Sequence, residues 1–290
     1  MSGFSASEAL ASGFQVIRRR PAALLAWAAV YLAMGIGPQV LMWLSIWPRV
    51  SAQMAHPGAD PAAMAQAMSG LTVLQPVIWA VSLVLMSILY GAVYRAVLTP
   101  QDRRFFYLRL SMKELWLGLT ILAQIGVFIV GCVIAGAAVT LIGHSAPGIV
   151  TFIVSLAAVV GGIWLLMRFS LAGPMAFAET RFIFAESWRL TQGHALKLCG
   201  VALALLAMIL AAELVVLVPL GIIGGLTGAL SHAGQQMAAD PVKFMRDLAP
   251  WLVLGGLAGS LVAAALHAIL GGPWAEIYRE LSAQADAPAE

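Results

Sequence analysis

Charge is the scarcest thing in this sequence: Lys, Arg, Asp and Glu make up 10% of 290 residues, against 61% hydrophobic ones. Soluble domains carry about a quarter charged and about half apolar residues, so an ordinary water-facing surface is excluded. Cysteine is nearly absent, with Cys132 inside one apolar run and Cys199 at the start of another. Their expected depths differ by more than a disulfide spans, which leaves two free thiols. The five histidines, His56, His144, His194, His232 and His267, stand singly, and none has a second His or Cys at i+3 or i+4. No metal site is expected from them. There is no P-loop, no Ser-His-Asp order and no paired acidic motif, so no catalytic residue and no cofactor is assigned.

What is present in quantity is apolar length, with a mean hydropathy of +0.93. A membrane-crossing helix needs about 20 apolar residues. The runs at 21–47, 71–98, 115–142, 149–178, 198–230 and 251–272 are each long enough. The expected fold class is all-α: a polytopic membrane helical bundle of six transmembrane helices, with cytoplasmic interfacial amphipathic helices. One integral membrane domain over 1–290 accounts for the whole length. The Arg18, Arg19 and Arg20 cluster before the first run superficially resembles a signal peptide, but the run exceeds the about 7 to 15 apolar residues of such segments. Kinks are expected near Gly35, Gly37 and Pro38 in the first span, and near Pro219 and Gly221 in the fifth. Trp43 and Trp47 suit the far interface. Helix starts are read at Asp60-Pro61 and Asp240-Pro241, and the tail from Pro273 is expected to fray.

Of the sixteen basic residues, thirteen fall on one side of these spans, and only Arg49, Lys243 and Arg246 on the other. Short loops follow the positive-inside rule, which places both termini in the cytoplasm. Three basic and aromatic belts precede the three hairpins: 4–20, 103–114 and 182–197. In the first, Leu10, Phe14 and Ile17 recur at helical spacing, as on a helix lying in the headgroup plane. In the second, Phe105, Leu108, Met112 and Leu115 do the same, predicting another amphipathic helix over 99–113. The arrangement reads as three copies of an interfacial helix plus hairpin.

The candidate residues come from these belts and from the spans. Arg168, Arg181 and Arg189 with Trp188, and Arg103, Arg104 and Arg109, form a surface that suits anionic membrane lipids or a protein partner. Arg168 alternatively snorkels or pairs with Glu179 or Glu186. Glu213 is the one carboxylate well inside a predicted span, roughly 24 Å of helix beyond Lys197 at about 1.5 Å per residue. Gln39, Gln75 and Thr140 lie at similar depth as partners inside the bundle. An intramembrane acid is a candidate for proton or cation coupling, and equally for a protonated, hydrogen-bonded structural residue. Gly221 with Gly225 and Gly255 with Gly259 make small-residue faces for close packing of spans five and six, within the chain or between copies in a homo-oligomer. The basic excess reports orientation, so no nucleic acid is expected as partner.

The order Arg168-x-x-Leu171-x-x-Pro174, Glu179, then Ser187-Trp188-x-Leu190-x-x-Gly193 resembles the signature of a broad bacterial group. That group includes the membrane domain of glycerophosphodiester phosphodiesterases and YciC-like inner-membrane proteins of unknown role. Glu186 stands where that group usually has a basic residue. The resemblance implies membrane location and proximity to lipid. It does not imply hydrolysis, because the phosphodiesterase activity of larger members belongs to a separate soluble barrel. The expected function is therefore a non-catalytic inner-membrane protein, lipid-associated or a membrane scaffold. The competing expectation is a small transporter or lipid-handling protein using Glu213 and the broken ends of spans one and five.

Overall fold

The computed structural model describes residues 3–45, 48, 62, 69–102, 104–143, 147–226 and 241–285. Every regular element among them is helical: α1 (Ala6–Arg19), α2 (Pro21–Ser45), α3 (Gly70–Leu98), α4 (Met112–Gly143), α5 (Gly148–Phe169), α6 (Ala172–Glu179), α7 (Ala185–Leu190), α8 (Ala195–Leu226) and α9 (Pro241–Ala285). Six helices are long and apolar enough to cross a membrane: Pro21–Leu41, Leu74–Leu98, Arg104–Gly143, Gly148–Glu179, Ala195–Val215 and Pro250–Ala285. The architecture is that of a multi-pass helical membrane protein. The expected turn of helix near Asp60, the side chains of Trp43 and Trp47, and Arg103 lie outside the described residues.

The described chain gathers into two compact units. Unit 1 comprises Met1–Arg20, Val81–Ala202 and His267–Glu290; unit 2 comprises Pro21–Ala80 and Leu203–Leu266.

In unit 1, α1 starts at Ser5, whose hydroxyl accepts from the Glu8 N–H while its own N–H goes to Glu280 Oε2 at 2.8 Å. Arg18 and Arg19 end the helix, where cations suit its dipole. Ala9, Ser12, Gly13 and Val16, at i, i+3, i+4 and i+7, form its buried face. That face is made of small residues because the backbones nearly touch: a Cβ on Gly13 would sit 2.6 Å from Ile269 Cα, and one on Gly272 2.8 Å from Gly13 Cα. Phe14, on the other face, is 49% exposed. The rest of the core joins Leu89, Val93 and Tyr94 of α3 to Leu117 of α4, Phe177 of α6 and Ile277 of α9.

The fourth span reaches Glu179 as expected, with a break after Phe169, where Ser170 turns its N–H and hydroxyl back to Met167 O and α6 restarts with Pro174 in its first turn. Two expectations are corrected here. The tail does not fray at Pro273. Helix α9 continues to Ala285 because Ala275, Ile277 and Leu281 are buried, and that packing outweighs the weak propensity of Gly271-Gly272-Pro273. The second belt is not an amphipathic α-helix. Phe105, Phe106 and Tyr107 all lie in the left-handed region, at φ 51°, 56° and 69°, a conformation that bulky residues adopt only when surrounding contacts hold them.

In unit 2, Ala23, Trp27 and Ala28 of α2, Leu205 of α8, and Ser260 and Ala264 of α9 are buried. Helix α2 continues through Pro38, and the backbone of α8 is helical through Pro219. A Cβ on Gly256 would meet Leu32 and Ile36 at 3.5 and 3.9 Å, an ordinary contact between α9 and α2. Most of the other large side chains point outward, Leu203, Leu206, Leu210 and Leu214 among them.

Candidate functional site

The basic belt of unit 1 is built on a buried ion pair. Arg95, near the end of α3, and Glu114, in the first turn of α4, are 5% and 0% exposed and directly bonded. Burying two charges is tolerable only when their remaining donors and acceptors are also met. They are: Arg95 Nη1 donates to Tyr107 O at 2.6 Å, and Glu114 Oε2 accepts from Ser111 N and Oγ at 2.8 and 2.5 Å. Gly91 leaves the room, since a Cβ there would fall 2.6 Å from Glu114 Oε1. The buried Phe177 ring lies under both Arg95 and Lys113, each 5.3 Å from its centroid. Tyr107 is thereby pinned by its carbonyl, and again by its hydroxyl, which donates to Pro100 O at 3.3 Å. This explains the left-handed turn, and it leaves Phe105 and Phe106 76% and 51% exposed.

The Ser-Trp stretch has a structural role. Ser187 Oγ donates to Arg168 O at 2.9 Å, and Thr191 Oγ1 to the same oxygen at 3.3 Å. These bonds satisfy a carbonyl that the end of α5 leaves open. The Arg168 guanidinium lies 5.1 and 5.5 Å from the Trp164 and Trp188 centroids, and the two rings meet edge to face. Its Nε and Nη1 are buried and form no hydrogen bond. The expected pairing of Arg168 with Glu179 or Glu186 is thus replaced by cation–π contact. Those two carboxylates serve Arg181 instead: Glu179 accepts from its Nε and Nη2 at 3.0 and 2.7 Å, and Glu186 lies 3.7 Å from Nη1. The hydrogen bond to Glu179 raises the Arg181 pKa further above its ordinary value. Arg109 is paired with Asp102. Among the described residues, Arg104 and Arg189 are exposed and their side chains make no hydrogen bond or ion pair. Among the described residues the predicted cationic surface is therefore largely neutralised, and Arg104 and Arg189 are what they still offer an anion.

Beside this belt, unit 1 holds a cleft of about 840 Å³ walled by α3, α4, α5, α6 and α9. Its α4 wall runs from Leu117 to Ala135, about 27 Å of helix at 1.5 Å per residue, close to the about 30 Å of a bilayer core. Tyr90, Tyr94, Gln124, Ser170 and Trp274 gather its polar groups toward the belt. Gln124 is held there by donating Nε2 to Phe169 O at 2.7 Å. Farther along, Gly131, Cys132, Ala135, Ala158, Gly161 and Gly162 make the space by being small. A Cβ on Gly131, Gly161 or Gly162 would meet nothing within 4 Å.

The intramembrane candidates do not assemble. Glu213, Gln39, Gln75 and Thr140 are each exposed, and Thr140 donates to its own helix at Ala137 O. The expected inward-facing Glu213 is corrected by this: its position on α8 falls on the face that carries Leu206, Leu210 and Leu214, all exposed. A Cβ on Gly255 or Gly259 would meet nothing within 4 Å among the described residues. Small residues permit approach without enforcing it. The corresponding surfaces of Gly221 and Gly225 lie outside the described side chains. Cys132 and Cys199 are both free, and no group of His, Cys, Asp and Glu suited to a metal occurs among the described residues.

Two features escaped the sequence reading. The Arg95–Glu114 pair was signalled by opposite charges at the facing ends of consecutive spans. The cleft was signalled by small residues at 131–137 and 157–162, which packing faces elsewhere in the chain overshadowed. Comparison with family models, with curated proteins and with solved structures gives no match.

Proposed function

We propose that this is a non-enzymatic, lipid-associated protein of a bacterial inner membrane, with both termini cytoplasmic, which holds the chain of an amphiphile in the cleft of unit 1. The observation that carries this reading is the cleft itself, a trough about as long as a bilayer core is thick, polar at one end and lined by small apolar residues along the rest. A hydrocarbon chain matches the long wall. Tyr90, Gln124 and Ser170 match an uncharged polar group next to it, such as an ester. The exposed Arg104 and Arg189 would add attraction for an anionic surface, each on the order of 1 kcal/mol near such a membrane. The likeness of the Arg168 to Gly193 stretch to the phosphodiesterase-membrane-domain group fits the same role, and in this chain its Ser187 and Thr191 close the end of α5.

The test is photocrosslinking in native membranes with a phospholipid carrying a diazirine in its acyl chain. Adducts are expected on peptides covering 127–135 and 158–163. Adducts spread evenly over exposed apolar faces, including 206–215, would remove the cleft from the account. The transporter reading gains no support from Glu213, which is exposed, as are Gln39, Gln75 and Thr140.

A further inference from the structure

A second cavity, of about 430 Å³, lies in unit 1 away from the apolar cleft, between α1, the end of α3 and the last turns of α9. Its wall is much more polar than that of the first: Glu8, Gln15, Arg19 and Arg20 from the α1 side face Glu276 and Arg279 of α9. Two of these charges are already joined, Arg279 donating to Glu276. Arg19, Arg20 and the Glu8 carboxylate make no ion pair or side-chain hydrogen bond among the described residues. The cavity therefore presents two unpaired guanidinium groups and one unpaired carboxylate. Arg20 immediately precedes α2, and Ala96, Val97 and Pro100 line the cavity at the end of α3, which sets it where spanning helices meet the headgroup layer. The junction of α1 with α9 is fixed by the backbone contact at Gly13 and Gly272, so the walls are preorganised.

We infer that this cavity binds a zwitterionic phospho-amine headgroup, its phosphate on Arg19 and Arg20 and its ammonium on Glu8. Guanidinium groups suit phosphate oxygens because they present several donors in a fixed plane. A purely anionic headgroup would meet the same two arginines but place added negative charge beside Glu8 and Glu276. A purely cationic ligand would face three arginines. Only a ligand carrying both charges satisfies the three unpaired groups together. The headgroup can belong to a bilayer phosphatidylethanolamine or to a soluble glycerophosphoethanolamine, and the chemistry at the cavity is the same.

The test uses the full chain, purified in detergent and followed by native mass spectrometry with phosphatidylethanolamine or phosphatidylglycerol added at equal concentration. The protein should retain phosphatidylethanolamine in preference by about tenfold, the scale of one charge-assisted hydrogen bond. The Arg19→Gln/Arg20→Gln variant should retain one lipid fewer per chain with either lipid, leaving any lipid in the apolar cleft in place, and Arg19→Lys/Arg20→Lys should restore part of the loss. Glu8→Gln, a change at an exposed position that leaves folding intact, should abolish the preference while keeping binding of phosphatidylglycerol. Displacement of the lipid by millimolar glycerophosphoethanolamine would assign the site to the soluble compound, and resistance to displacement would assign it to the lipid. Equal retention of the two lipids by the unaltered protein, or a preference unchanged in Glu8→Gln, would overturn the inference.

Discussion

Units 1 and 2 both rest on long apolar helices, yet they differ in what is buried. Unit 1 buries an Arg–Glu pair beside a left-handed turn at Phe105 to Tyr107 and makes two backbone-to-backbone glycine contacts. In unit 2, by contrast, Glu213 and Gln39 are exposed, and so are Gly255 and Gly259. The comparison teaches that polar groups, rather than apolar ones, specify the packing of this membrane protein. Where the surrounding lipid is as apolar as a leucine, burying leucine against leucine gains little, and close contact or hydrogen bonding must decide which helices meet.

The largest effect expected from breaking that contrast is at the ion pair. Glu114→Ala leaves Arg95 buried without its partner, and unfolding in detergent should show a loss of about 3–5 kcal/mol. Replacing both by apolar residues of similar volume should recover much of it. Next comes Gly13→Ala, whose Cβ meets Ile269 Cα and Ala268 O, neither of which can turn aside. A loss of about 1–3 kcal/mol is expected, together with faster protease cleavage of α1. Ser187→Ala should cost about 1 kcal/mol, because Thr191 still reaches the Arg168 carbonyl. At the small end, Gly255→Ala and Glu213→Gln should each stay within about 0.5 kcal/mol of the parent. A large loss at either would mean that unit 2 is specified in the same way as unit 1.

The same contrast decides how much could be read beforehand. The six crossings and the all-helical class follow from apolar run length, which needs no partner to interpret. Helix α1 also forms where its periodicity predicts a helix, with Ala9, Ser12, Gly13 and Val16 as its buried face. The belt at 103–114 misleads for a definite reason. Phe105, Leu108 and Met112 have helical spacing, but Arg95 and Pro100, in or beside the preceding helix, bind the carbonyl and hydroxyl of Tyr107 and hold the chain left-handed. No local pattern contains that information. Arg181 and Arg109 count toward topology as charges, but their carboxylate partners show only in three dimensions. The cleft is the hardest to foresee, since a cavity is a property of what several helices omit together.

That cleft is the centre of the functional account, and filling it is the most direct test. Gly131→Leu/Gly162→Leu adds two side chains at positions where a Cβ meets nothing within 4 Å, and Gly255→Leu/Gly259→Leu adds the same volume to equally open positions of unit 2. Lipid co-purifying with each protein is then extracted and counted per chain by mass spectrometry. The account predicts that the first variant holds one lipid fewer per chain than the parent while the second matches the parent. Equal lipid content in all three proteins would contradict it.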